Sequence, residues 1–213
     1  MKSALNANQR ETENLKAQLA KAEKANDTLR SELKHTRIKL KDQIEETDKL
    51  NEKYDDLEQY SRKNSLEILG VSEGAYTSTE EVVIRIGRAI NVDIKPEDIE
   101  ISHKLKRKTS RPVIVKFVSH KVKSLLYRAR TKLKNVKASD LFPSFAFASR
   151  DDQRISINEN FTSHRREIFW KANKKKKDNM ITSTWKMDGK IFVKTSPNGA
   201  PVRIYCEEDL NDL

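Results

Sequence analysis

The stretch "LEQYSRKNSLEILGV", residues 57–71, decides how the chain is organised. Its first half closes a long polar helical pattern. Its second half reads as a buried β-strand, and only "SRKN" separates them, with no proline and no glycine. A helical rod therefore passes into a strand almost without a linker, and the two sides of this join read differently.

On the N-terminal side the apolar period is 3.5. With Leu5 as an a position, the a series is Leu5, Thr12, Leu19, Asn26, Leu33, Leu40, Thr47 and Tyr54. The d series is Asn8, Leu15, Ala22, Leu29, Thr36, Gln43, Leu50 and Leu57. Eight of the sixteen are leucine and none is charged, a coiled-coil pattern that a lone solvated helix does not need. The g-to-e pairs Glu11–Lys16, Glu32–Arg37 and Lys53–Glu58 are opposite in sign, which suits a parallel, in-register homo-oligomer. Leu5, Leu15, Leu19, Asn26, Leu29, Leu33, Leu40, Leu50, Tyr54 and Leu57 are the expected seam. Leucine at both a and d leaves dimer and trimer open.

On the C-terminal side short alternating segments replace the heptads. Strands are expected at 65–71, 99–105, 111–119 and 153–161, and helices at 78–94 and 120–133. Ser78 and Glu81 form a capping box for the first of these helices. The order βαββαβ predicts a ferredoxin-like, RRM-like domain over 64–160. Beyond it, a helix over 162–177, a hairpin turning at Asp188-Gly189, a strand over 201–205 and a short terminal helix make a second α/β unit over 161–213. Trp185 and Phe192 are expected in its core, the alternative being that one of them stands exposed beside Lys186, Lys190 and Lys194. The fold class is thus α+β, with a coiled-coil rod over 1–63.

Charge points to the partner. Hydrophobic residues are 36% and charged residues 35%, too polar for one packed globule of 213 residues. The net charge is +11. The first 63 residues hold 14 basic and 13 acidic side chains, so nearly all of the excess lies beyond the rod. From His103 to Lys137 no acidic residue occurs, while Lys104, Lys106, Arg107, Lys108, Arg111, Lys116, Lys121, Lys123, Arg128, Arg130, Lys132, Lys134 and Lys137 do. A solvated helix face mixes signs, so this window reads as a phosphate-tracking surface for single-stranded RNA or DNA. Stacking on the first sheet is not expected. "VIVKFV" offers one aromatic, Phe117, and the first strand none.

Other function classes fare worse. His35, His103, His120 and His164 show no ligand spacing, and no nucleophile motif or glycine-rich phosphate loop occurs. Neither an enzyme nor a cofactor or metal is expected. Cys206 is the sole cysteine, which fits a reducing compartment. No apolar run approaches a membrane span, and no membrane partner is expected. "KKKK" at 174–177 reads as a basic helix end rather than a nuclear address.

Four ordered blocks carry a family resemblance: "LEQYSRKNSLEILGV", "SHKL" with "SRPVIVKF", "LLYRARTKL", and "ISINENFTSHRREIFWKA" with "TWKMDGKIFVK". Together they resemble the first-open-reading-frame protein of LINE-type non-LTR retrotransposons. The last two-thirds is also similar to the baculovirus few-polyhedra protein. The resemblance implies a trimerising coiled coil, an RNA-recognition-like domain and a C-terminal domain. It also implies packaging of RNA into cytoplasmic ribonucleoprotein particles, with the nucleus a second location, and strand-annealing (chaperone) activity. By matching motif positions it implies nucleic-acid contacts at Arg62, Lys63, Arg111, Arg128, Arg130, Arg165 and Arg166. Lys63 and Lys116 stand where arginine is frequent. Lys104, Lys106, Arg107, Lys116 and Lys190 complete the expected nucleic-acid site. The rival reading is a coiled-coil scaffold whose basic charge is incidental.

Overall fold

The structure is a computed structural model that describes residues 2–71, 76–106, 111–142 and 154–213, apart from the side chains of 2–5, 7 and 135. It is α+β, with a long N-terminal helix and, among the described residues, two antiparallel sheets. Two compact units divide at Tyr54 and Asp55.

The first unit lies within helix α1, Lys2–Ser61, which has no proline or glycine to interrupt it. Its described leucines have no core to enter in the single chain. Leu15, Leu19, Leu29, Leu33, Leu40 and Leu50 are all more than half exposed.

The second unit begins with the last turns of α1. After Ser61 the chain turns tightly: the amide of Lys63 donates to the Tyr60 carbonyl at 3.1 Å, and that of Ser65 to the Arg62 carbonyl at 2.8 Å. Phe117 then donates to the Asn64 carbonyl at 3.0 Å, so Asn64 already lies beside the sheet. "SRKN" is a hydrogen-bonded turn, which explains why the join carries no linker residues.

Strands β1 (Ser65–Leu69), β2 (Ile99–Lys104), β3 (Val113–Phe117) and β4 (Ser156–Glu159) form the first sheet in the order β2-β3-β1-β4, every pair antiparallel. Helices α2 (Thr79–Ala89) and α3 (His120–Ala129) supply most of the remaining core. Leu66, Ile68, Val113, Val115, Phe117 and Ile157 meet Val82, Val83, Ile86 and Leu126 there. Phe117 is wholly buried, consistent with no stacking role for it. Helix α4 (Ala138–Leu141) closes this core with Ala138 and Phe142.

Ser78 caps α2 by accepting from the Glu81 amide at 3.1 Å. The Thr77 hydroxyl and amide, aided by Arg85, hold the Glu81 carboxyl down at about 2. Its contribution to stability is therefore present above the ordinary carboxylate value and fades as pH falls toward 2. The helix ends at Ala89 rather than near 94. Asn91 takes a left-handed φ of 61°, and the Val92 amide donates back to the Gly87 carbonyl at 2.8 Å. Ile90 and Ile94 then reach the core from a turn. A Cβ on Gly87 would fall 2.8 Å from the Val92 carbonyl oxygen, so the fold-back needs the glycine. Helix α3 likewise stops at Ala129 and tightens into a 3-10 turn over Arg130–Asn135.

Helix α5 (Ser163–Lys177) packs on a second sheet of β5 (Ser183–Met187), β6 (Lys190–Lys194) and β7 (Val202–Ile204), in the order β5-β6-β7. The short α6 (Glu207–Asn211) seals it with Leu210. Asp188 and Gly189 form the hairpin turn with φ of 51° and 76°.

Candidate nucleic-acid interface

Basic residues of the second unit divide by what already holds them. Arg165, 13% exposed at its side chain, lies between two carboxylates at the end of α1. Its Nε donates to Asp55 at 2.7 Å and its guanidinium also pairs with Asp56. Its Nη1 donates to the Gly189 carbonyl at 2.7 Å. Arg62 pairs with Glu58 and donates to Asn160 Oδ1 at 3.1 Å and the Phe161 carbonyl at 3.3 Å. Gln59, buried, donates to the Asn160 carbonyl and accepts from the Thr162 amide. These groups fasten the helix end to the start of α5. Arg62 and Arg165 thus already make several bonds within the fold.

Arg166 donates to the Phe161 carbonyl at 3.1 Å and approaches buried Glu67 at 3.9 Å. Lys116 pairs with Glu100 at 2.6 Å. Glu67 and Ile114 face each other across β1 and β3, and both are buried. The side of the first sheet away from its helices is thus partly closed and carries an acid at its centre.

A buried ion pair on the first sheet also reaches the β5–β6 turn. Glu159 on β4 accepts Lys123 Nζ at 2.8 Å and the Asp188 amide at 2.9 Å on one oxygen, and the Gly189 amide at 2.7 Å on the other. Lys123 and Glu159 are 2% and 3% exposed. Lys123→Met should leave the carboxylate buried with its amides alone, costing about 3–5 kcal/mol. Urea unfolding measures this, and an unchanged midpoint would exclude the role.

Lys63, Lys104, Lys106, Arg111, Arg128 and Lys190 are exposed, while Arg107 lies outside the described residues. Two clefts gather some of them. The larger, about 340 Å³, is walled by Tyr60, Arg62, Lys63, His120, Arg165, Lys190 and Arg203 among others. The smaller, about 200 Å³, is walled by Ser124, Tyr127, Arg128, Arg130 and the stretch from Trp185 to Asp188. Arg130 stacks 3.8 Å over the Tyr127 ring and donates to the Tyr127 carbonyl at 2.6 Å. Burial, reinforced by Glu159, pushes the Tyr127 phenol up to about 12, so it stays neutral and donates to the Lys186 carbonyl. Burial pushes the Lys186 ammonium down; it lies over the Phe161 and Phe169 rings. Lys104 and Lys116 line neither cleft.

Trp185 and Phe192 correct an expectation. They are not core residues. Both are half-buried and stack on each other with centroids 5.6 Å apart and planes 16° apart. Ile191, Val193 and Ile204 fill the core instead. Tyr60, Tyr127 and Arg203 were not singled out by the sequence reading. Their signal was a tyrosine close to cations in sequence: Tyr60 in "YSRK", Tyr127 in "YRAR", and Arg203 two positions before Tyr205 in "VRIY".

Among the described residues no helix is long and apolar enough to cross a membrane. The family model of baculovirus FP protein domain 2 matches residues 162–213, about a quarter of the chain. That span contains α5, the second sheet and α6. No curated protein matches the chain.

Proposed function

We propose that this protein is an oligomeric, single-stranded nucleic-acid-binding protein that gathers RNA into particles and anneals strands, as the resemblance to LINE-type first-open-reading-frame proteins implies. The observation that carries this reading is the smaller cleft, where Arg128 and Arg130 stand beside Tyr127 and Trp185 with Asp188 as its one carboxylate. Cations next to flat rings suit a ligand with phosphates and bases. The order β2-β3-β1-β4 around a central β1 supports an RRM-like first domain. The exposed heptad leucines support a parallel coiled coil that links several such domains in one particle.

One observation favours the scaffold alternative: Arg62 and Arg165, two expected contacts, are held within the fold. Binding separates the two. The chain should bind homopolymeric RNA with affinity that falls steeply with salt, by about 0.7 log units per tenfold salt for each phosphate neutralised. Arg128→Ala with Arg130→Ala should weaken all sequences alike and flatten that slope by one to two phosphates' worth. A flat salt response would leave the scaffold reading standing.

A further inference from the structure

The outer face of the β5-β6-β7 sheet carries a row of side chains that the proposed function does not yet use. Ile191 and Val193 on β6 and Ile204 on β7 turn into the core and are buried. Side chains alternate along a strand, so Phe192 and Arg203 turn away from it. The register places Trp185 opposite Phe192, and Phe192 opposite Arg203. Two aromatic rings and a guanidinium therefore stand in line across three strands. Lys190 and Lys194 flank Phe192 on the same face of β6. The strand residues of this face include no carboxylate.

A face that needed only to stay soluble would carry mixed polar residues, not stacked rings among cations. Flat apolar rings and positive charge together suit a ligand with π faces and negative charge. The row also runs between the two clefts. Trp185 walls the one with Arg128 and Arg130, while Arg203 and Lys190 wall the one with Tyr60 and Lys63.

We infer that this row is a base-stacking platform for single-stranded nucleic acid. Bases lie against the Trp185–Phe192 pair, and Arg203, Lys190 and Lys194 meet the flanking phosphates. This rests on the nucleic-acid reading and extends base contact from the smaller cleft along the sheet face, through Phe192 to Arg203. Stacking on aromatic side chains tolerates any sequence, because every base has a π face. The platform therefore strengthens binding without a preferred motif.

The test uses the full chain and two probes of equal length and charge, oligouridylate and an oligonucleotide with abasic sites. With Trp170→Phe, Trp185 becomes the sole tryptophan. Its fluorescence should be quenched by oligouridylate and not by the abasic strand. Trp185→Ala with Phe192→Ala should weaken oligouridylate binding by about tenfold to a hundredfold, the size of one stacked base or slightly more. Abasic binding and the salt slope should stay as they were. Trp185→Leu keeps the apolar bulk without the flat face and should show the same direction of loss if the alanine pair does not fold. Equal losses for both probes, or none, would overturn the platform while leaving the nucleic-acid reading intact. If the unaltered chain binds neither probe, both readings fall. Tight binding of acidic peptides in preference to oligouridylate would also overturn it.

Discussion

Leu33→Asp with Leu40→Asp is expected to reduce the protein to a monomer of 24.7 kDa by light scattering, where the unaltered chain runs at two or three times that mass. Binding to single-stranded RNA should fall with it by about 10²–10⁴-fold, the gain that linked sites provide through effective concentration. The two side chains are 53% and 54% exposed in the single chain, and Leu15, Leu19, Leu29, Leu50 and Leu57 are 58% or more. Burying such leucines is worth about 25 cal/mol per Å². A seam of this length is thus a strong drive to associate, and two carboxylates at adjacent a layers would have to be desolvated against their own copies. Ile44 falls at an e position, beside the expected seam. Ile38 falls at an f position, away from it, and nothing in the structure accounts for it. An unaltered chain that is monomeric at micromolar concentration would remove the basis for linked binding altogether.

Some of this architecture was legible because it rests on local rules. Ser78 with Glu81 marks a helix start, and Asp188-Gly189 marks a hairpin whose two positive φ values few other pairs accept. The end of α2 was not legible, since Asn91 does the work of a terminating glycine in the midst of an apolar run that continues to Ile94. The positions of Trp185 and Phe192 needed knowledge of which side α5 covers, which alternation alone does not supply. The site residues divide in the same way. Lys63 and Arg128 are exposed. Arg165 stands among the expected contacts through its place in the matching motif, while its partners in the fold, Asp55 and Asp56, stand about 110 positions earlier. Charge counts along a window cannot find a carboxylate that the fold brings from so far away.

That same distance sets the last expectation. A fragment of residues 64–213 should unfold at a clearly lower urea concentration than one of residues 50–213, although both lack most of the rod. The shorter fragment removes Asp55, Asp56, Gln59 and Arg62 together. Arg165 then keeps the Gly189 carbonyl but loses both carboxylates, and the Thr162 amide loses its bond to Gln59 at 3.1 Å. Each hydrogen bond lost in this way is worth about 0.5–1.5 kcal/mol, and about 1.5–3 kcal/mol where a charged group takes part, against a total stability for a domain of about 5–15 kcal/mol. The α5 sheet unit should suffer most, since Thr162 caps α5 and also donates to Asp55. Arg165→Ala in the longer fragment should reproduce much of the loss, whereas Arg165→Lys should restore charge without the fork that reaches both aspartates. Equal midpoints for the two fragments would mean that the helix end rests on the unit without holding it. The weak RNA binding of a rodless fragment could then be assigned to lost avidity alone; with the expected loss of stability, that comparison has to be made from residue 50.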